Sequence, residues 1–211
     1  AHGAIIAGEG AHATRAQLEA VLPRFVGDIA QIPPMYSALK RDGQKLCDLA
    51  RQGIDVKVEP RPTQVYAIDV LHENEDGSFI LQICCGRGTY IRTLCNDIGE
   101  ALGTKAHMGV LLRAQTGMFT LDEAHTIEEI DAAEDLEPLL VAMDKPLGHL
   151  PKLDVQPKAE RFVRNGNQLT RRELIGDIQL GKPTRLYLNG QFCGIGRFEG
   201  EKLKFDAMLL E

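Results

Sequence analysis

Leu18, Val21, Leu22 and Phe25 follow the i, i+3, i+4, i+7 spacing of one helix face, and Thr14 with Gln17 has capping-box spacing. This predicts a helix from about Arg15, which Pro23 should shorten or kink because proline lacks an N–H and crowds the preceding turn. The run from Gln31 to Pro62 is bracketed by Pro33-Pro34 and by Pro60 and Pro62; Leu46, Leu49 and Ala50 suggest a single short helix ending near Gly53. Alternating apolar and polar residues in TQVYAIDVLHE and SFILQICC then predict two strands, joined at Glu75-Asp76-Gly77, whose Asp-Gly pair favours a hairpin.

Beyond the hairpin, GRGTYIRTLCNDIGEALG predicts a glycine-flanked turn into a helix with Ile91, Leu94, Ile98 and Leu102 on one face and Gly103 at its end. HMGVLLRAQTGMF reads as strand-like over Val110 to Arg113, and Thr126 with Glu129 opens a short acidic helix through a second capping box. After Pro151 an amphipathic turn or two in PKAERFVRNG is followed by three β-like runs, TRLYLNG, QFCGIGRFEG and KLKFDAMLL, with turn signals at Asn189-Gly190 and Glu199-Gly200-Glu201. Helices and strands are mixed without a regular βαβ repeat. The expected class is therefore α+β, with residues 1–150 as one domain and 151–211 as a small, mostly β domain.

Charge is unevenly spread along this pattern. Residues 121–150 carry nine acids against one base, so although the chain nets −6, the remainder nets +2. Residues 34–62 hold six bases and four acids, and residues 151–211 eleven bases and eight acids, a mildly basic balance that permits an RNA partner without demanding one. Five cysteines, Cys47, Cys84, Cys85, Cys95 and Cys193, are odd in number and lack CxxC spacing, so reduced and mostly buried thiols are expected rather than disulfides or zinc. No apolar run approaches the roughly 18 residues of a membrane span, and AHGAIIAGEG has no basic leader region. A cytoplasmic protein with no membrane partner is the expectation.

The chemistry concentrates in GRGTYIRTL. Tyr90 and Arg92 lie two residues apart at the entry to a helix whose apolar face is set by Ile91 and Leu94, so both cannot be core. An arginine can hold a carboxylate in a two-pronged pair, and a tyrosine can stack on a base or relay a proton. The bland alternative for Arg92 is a surface salt bridge.

Three segments in order resemble bacterial tRNA pseudouridine synthases of the TruB type. QIPPMYSALKRDGQKLCDLARQGI is similar to that family's thumb loop, through Tyr36-Ser37-Ala38-Leu39-Lys40 and Ala50-Arg51-Gln52-Gly53. GTYIRTLCNDIGEALG resembles its Gly-x-Tyr-Ile-Arg motif, and AHMGVLLRAQTGMF the strand that follows. More weakly, FVRNGNQL and the β-rich end resemble a PUA-like RNA-binding domain. The implied fold is part of a synthase catalytic domain, a mixed sheet with flanking helices and a thumb insertion at about 34–62, followed by the PUA-like domain. The implied reaction flips a uridine of the tRNA T-arm out of its stack, breaks C1′–N1 and rejoins the base through C5, without metal or other cofactor. Carried over, Arg92 pairs with the attacking aspartate, Tyr90 contacts the flipped base and Leu111 makes a backbone or apolar contact to the uracil. Lys40, Arg41, Lys45, Arg51, Lys57 and Arg61 of the thumb, with Arg113, become phosphate contacts, and the thumb is expected to be mobile until it closes on tRNA. A monomer is expected.

One departure from the family pattern matters most. The family's nucleophilic aspartate lies in a His-x-Gly-x-Leu-Asp-Pro segment, and these 211 residues contain none, while Asp69 and Asp97 read as ordinary polar residues. The expectation is a fragment of an active synthase that is inactive alone. The rival reading is a catalytically silent RNA-binding module. A metal or thiol enzyme using Cys84, Cys85, Cys95, His107 or His125 is the weakest, since adjacent cysteines cannot easily share a tetrahedral ion.

Overall fold

The computed structural model describes residues 12–41 and 43–209, which divide into two compact units between Leu112 and Arg113. In the first unit α1 (Arg15–Val21) begins at the predicted capping box: the Thr14 hydroxyl accepts from the Gln17 N–H and the Gln17 side chain from the Thr14 N–H. Pro23 stops it, and a 3-10 turn over Leu22–Phe25 leads to β1 (Gly27–Gln31), a strand the periodicity did not reveal. A two-residue ladder of β2 (Lys40–Arg41) and β3 (Gln44–Lys45) precedes α2 (Leu46–Arg51), which stops before Gly53 at φ +73°. The long β4 (Arg61–Glu73) and β5 (Phe79–Cys85) form the expected hairpin. Its turn is held by Asp76, whose carboxylate accepts from the Ser78 N–H and hydroxyl. Finally α3 (Ile91–Ala101) ends before Gly103 at φ +71°.

The sheet order is β1-β4-β5, all antiparallel, and among the described residues the helices cover one face. Leu18 and Leu22 of the α1 segment and Leu94 and Ile98 of α3 are buried against Ile68, Val70, Phe79, Leu81 and Ile83. Tyr66, Leu71 and Ile80 are 55%, 57% and 49% exposed; Ile80 alternates with Phe79 and Leu81 along β5, whereas Tyr66 and Leu71 sit at the two irregularities of the β4–β5 register. Gly99 allows the chain after α3 to lie close: a Cβ there would stand 2.6 Å from the Ala106 nitrogen.

The strand expected over Val110 to Arg113 does not form. Those residues join no ladder among the described residues, and Val110, Leu111 and Leu112 are 91%, 55% and 69% exposed. An extended apolar run becomes a strand only when a neighbour takes up its N–H and C=O groups, and a single sequence does not supply that neighbour.

The second unit opens with a short hairpin of β6 (Gln115–Thr116) and β7 (Phe119–Thr120), followed by α4 (Ile127–Ala132) with its predicted Thr126–Glu129 capping box. The predicted amphipathic turn is the 3-10 segment Pro157–Ala159 followed by α5 (Glu160–Arg164). A six-stranded sheet is then built from β8 (Lys152–Val155), β9 (Leu169–Thr170), β10 (Leu174–Ile175), β11 (Thr184–Leu188), β12 (Gln191–Glu199) and β13 (Lys202–Met208), with α5 (Glu160–Arg164) between β8 and β9. Its order is β10-β8-β11-β12-β13-β9. The three long β-like runs are β11, β12 and β13, and the Asn189-Gly190 turn takes positive φ at both residues, 52° and 82°. Leu153, Leu169, Leu186 and Leu203, all fully buried, centre the core. Residues 144–150 are tied to this sheet by polar bonds: the Tyr187 hydroxyl donates to Asp144 at 2.5 Å and Arg185 Nε to the Leu150 carbonyl at 3.1 Å.

The cysteines correct one expectation. Only Cys193 is buried; Cys47, Cys85 and Cys95 are half-buried, and Cys84 is exposed because neighbours on a strand point to opposite faces. Burial pushes the Cys193 thiol up to about 11, leaving little of the reactive thiolate near neutrality. Cys84 should therefore react with an aromatic disulfide reagent in the folded chain while Cys193 reacts only after denaturation. Equal labelling of both in the native protein would contradict this arrangement.

Candidate active site

The turn into α3 is assembled from backbone and hydroxyl bonds. The Gly86 N–H donates to the Gln64 carbonyl at 2.7 Å, the Thr89 hydroxyl donates to the Gly86 carbonyl at 2.9 Å, and Thr89 and Thr63 share a hydroxyl pair at 2.6 Å. These bonds fasten the turn to β4. Tyr90 then takes the N-cap position with extended backbone, φ −96° and ψ 102°, and no side-chain cap. Its carbonyl accepts the first helical bond, from the Leu94 N–H at 3.0 Å, and its own N–H donates to the side chain of Gln31 at 2.9 Å.

Two further bonds sew the first turn of α3 to the chain leaving β1. The Thr93 hydroxyl donates to the Ile32 carbonyl at 3.3 Å, and Arg92 Nη2 donates to the Tyr36 carbonyl at 2.8 Å. Tyr90 is half-buried, Arg92 exposed, and Tyr36 60% exposed. The hydrogen-bond partner of Arg92 among the described residues is the Tyr36 carbonyl, on a surface open to solvent. Leu111 is exposed and has no bond to Tyr90 or Arg92 among those described. Hydrogen bonds thus join Arg92 to Tyr36 and Tyr90 to Gln31.

Neither aspartate weighed as a substitute nucleophile bonds to Arg92. Asp69 is exposed on β4, and Asp97 is a half-buried group on α3 whose carboxyl is raised mainly by loss of solvent. Among the described residues no three His, Cys, Asp or Glu side chains gather as a metal site would require. No described helix is long and apolar enough to cross a membrane.

The basic candidates are all exposed. Lys40 and Lys45 face each other across the β2–β3 ladder, a like-charge pairing that destabilises it. Arg41 donates to the Lys57 carbonyl, Arg51 pairs with Asp48 at 3.2 Å, Lys57 lies 4.0 Å from Glu59, and Arg61 sits opposite Gln31 at the start of β4. Exposed pairs of this kind contribute well under about 1 kcal/mol, so they cost little to exchange for phosphate. Arg113 is exposed in the second unit. The thumb is better packed than its sequence suggests, since α2 buries Leu46 and Leu49 to 2% and 9% exposure. Beside Tyr36, Ser37 is buried at 6% exposure, and its hydroxyl finds no partner among the described residues.

Sequence reasoning missed Gln31 and Thr93 as structural partners of the site. Nothing in local spacing marks a buried glutamine, although its place directly before Ile32-Pro33-Pro34 puts it where the chain leaves the sheet.

Comparison with known proteins bears on the same residues. The profile of the TruB family pseudouridylate synthase N-terminal domain matches residues 1–91, and that of the tRNA pseudouridylate synthase B C-terminal domain matches residues 92–148. The chain is 43% identical over 185 residues to tRNA pseudouridine synthase B of Alkaliphilus oremlandii, covering 87% of this chain and 61% of that protein. It is 37% identical over 205 residues to the Clostridium perfringens protein of the same name, covering 96% and 69%. The chain thus spans roughly two thirds of the length of these relatives. Among solved structures, an H/ACA RNP bound to a substrate RNA containing 2′-deoxyuridine aligns with TM-score 0.70 at 20% identity, covering 97% of this chain and 64% of the other. A Cbf5-Nop10-Gar1 complex aligns with TM-score 0.68 at 24% identity, covering 96% and 64%. These two likenesses establish the fold: mixed α and β, with a sheet consistent with a PUA-like domain.

Proposed function

The chain belongs to the TruB family of pseudouridine synthases, and from that premise we propose that it is the thumb-bearing and C-terminal portion of a cytoplasmic, monomeric enzyme that isomerises a uridine of the tRNA T-arm. The observation that carries this reading is the pairing of Tyr90 and Arg92 on the first turn of α3, bonded to the chain that enters the thumb. In this reading residues 1–150 form the catalytic portion and 151–211 the PUA-like RNA-binding domain.

Each residue has a task the chemistry requires. Arg92 pairs with the attacking aspartate and keeps it ionised, because a nearby opposite charge lowers a carboxyl pKa. The Tyr90 ring lies against the flipped uracil while C1′–N1 breaks and C5 replaces N1, and Leu111 adds an apolar or backbone contact. Lys40, Arg41, Lys45, Arg51 and Arg61 in the thumb and Arg113 beyond it reach phosphates, and the thumb closes on the RNA as it binds. No metal or cofactor takes part. The His-x-Gly-x-Leu-Asp-Pro aspartate is not among these 211 residues, so on this reading they bind RNA but do not isomerise it.

Tritium release from tRNA labelled at uridine C5 tests the assignment. Protein of the relatives' full length carrying this chain should release tritium. The 211 residues alone should bind the same tRNA with a salt slope that falls in magnitude by about one unit when Lys40 or Arg61 is neutralised, and should release none. Release by the 211 residues would mean that the nucleophile lies within them. Binding without release at full length would favour the silent RNA-binding module.

A further inference from the structure

Gln31 ends β1 opposite Arg61, yet its side chain is only 2% exposed. Its carboxamide is turned onto one residue: Oε1 accepts the Tyr90 N–H at 2.9 Å, and Nε2 donates to the Tyr90 carbonyl at 3.3 Å. The two bonds also settle which amide atom is which, since the flipped amide would set donor against donor and acceptor against acceptor. The amide imitates a neighbouring strand and fixes both peptide planes flanking the Cα from which the Tyr90 ring projects. That same carbonyl starts α3, two residues before Arg92.

We propose that Gln31 is a positioning residue for the isomerisation: it sets the Tyr90 main chain and the start of α3, so that the Tyr90 ring and the Arg92 guanidinium are presented together at the root of the thumb. The proposal rests on the roles given above to Tyr90 and Arg92. Only a side chain with both a donor and an acceptor at this reach can hold the two Tyr90 groups; an apolar replacement leaves the N–H unpaired and the start of α3 free to shift. The Thr93–Ile32 and Arg92–Tyr36 bonds join the same two segments, so a shift of α3 also disturbs the entry to the thumb.

The test substitutes Gln31→Met, similar in length and without polar hydrogens, in protein of the relatives' full length. A displacement of about 1 Å at a catalytic group costs up to about a hundredfold, so kcat should fall about tenfold to a hundredfold with KM for tRNA nearly unchanged. Leu81→Ala, which removes core volume on β5 without touching Tyr90, should lower the melting temperature and leave kcat intact. In the 211-residue chain, Gln31→Met should speed exchange of the Tyr90 amide by about tenfold or more while the Ile98 amide, a turn further into α3, is unaffected. Should Gln31→Met fail to fold, Gln31→Glu keeps the acceptor for the Tyr90 N–H. It should retain slow Tyr90 exchange while losing kcat. Near-normal kcat in the Gln31 variant, or an equal kcat loss in Leu81→Ala, overturns the proposal if Arg92→Lys is inactive. Full activity in Arg92→Lys as well would instead overturn the roles on which it rests.

Discussion

Arg92→Lys in protein of the relatives' full length should lose about a hundredfold or more in kcat, although the positive charge is kept. In the structure Nη2 of Arg92 is engaged with the Tyr36 carbonyl. The rest of the planar fork is therefore oriented, and a carboxylate can meet it through two parallel bonds. A lysine concentrates its donors on one nitrogen and cannot hold the carbonyl and both carboxylate oxygens at once. Arg92→Gln should add a pH signature. Removing the cation raises the pKa of the partner carboxylate, so the acid limb of kcat/KM moves to higher pH. Single-turnover rates on tRNA, measured across pH, check both effects. A lysine variant with near-normal kcat would show that Arg92 does not pair with the nucleophile.

Gly194→Ala should unfold the second unit far more readily, by about 3 kcal/mol or more. Gly194 lies on β12 at φ +146° opposite Met208, next to the irregularity between Ile195 and Gly196. A Cβ there would overlap the Ala207 carbonyl oxygen and stand 3.1 Å from the Met208 Cα, atoms of the main chain that cannot rotate away. The β12–β13 ladder would have to open beside the core of Leu186, Cys193 and Leu203. Gly190→Ala provides the comparison, since it has φ +82° but nothing within 4 Å of an added Cβ. It should cost only the conformational strain, about 1–2 kcal/mol. Denaturant unfolding of the two variants separates close approach from backbone conformation. Equal losses would mean that the overlap is relieved without cost.

The helix starts at Thr14 and Thr126, the stop at Pro23 and the turn at Asn189-Gly190 were legible because each depends on residues within a few positions of one another. Capping bonds, helical faces and hairpin turns are near-neighbour physics, and they carried the α+β class. The Tyr90 and Arg92 pair was legible for a related reason: two polar residues at a helix entry stand out against Leu94 and Ile98, which the core claims.

Other features depended on contacts between distant residues. Strand β1 acquired its identity from pairing with β4, and Val110 to Arg113, which looked more like a strand, has no partner among the described residues and forms none. The two residue pairs that organise the site, Gln31 with Tyr90 and Arg92 with Tyr36, join positions 59 and 56 apart. A buried glutamine and an exposed one are the same letter, and the solvent exposure of Arg92 follows from which segments surround it. Local order along the chain was thus written in short-range spacing, whereas the presentation of Tyr90 and Arg92 arose when packing brought the end of β1 against the start of α3, because hydrogen-bond partners so far apart leave no periodic trace between them.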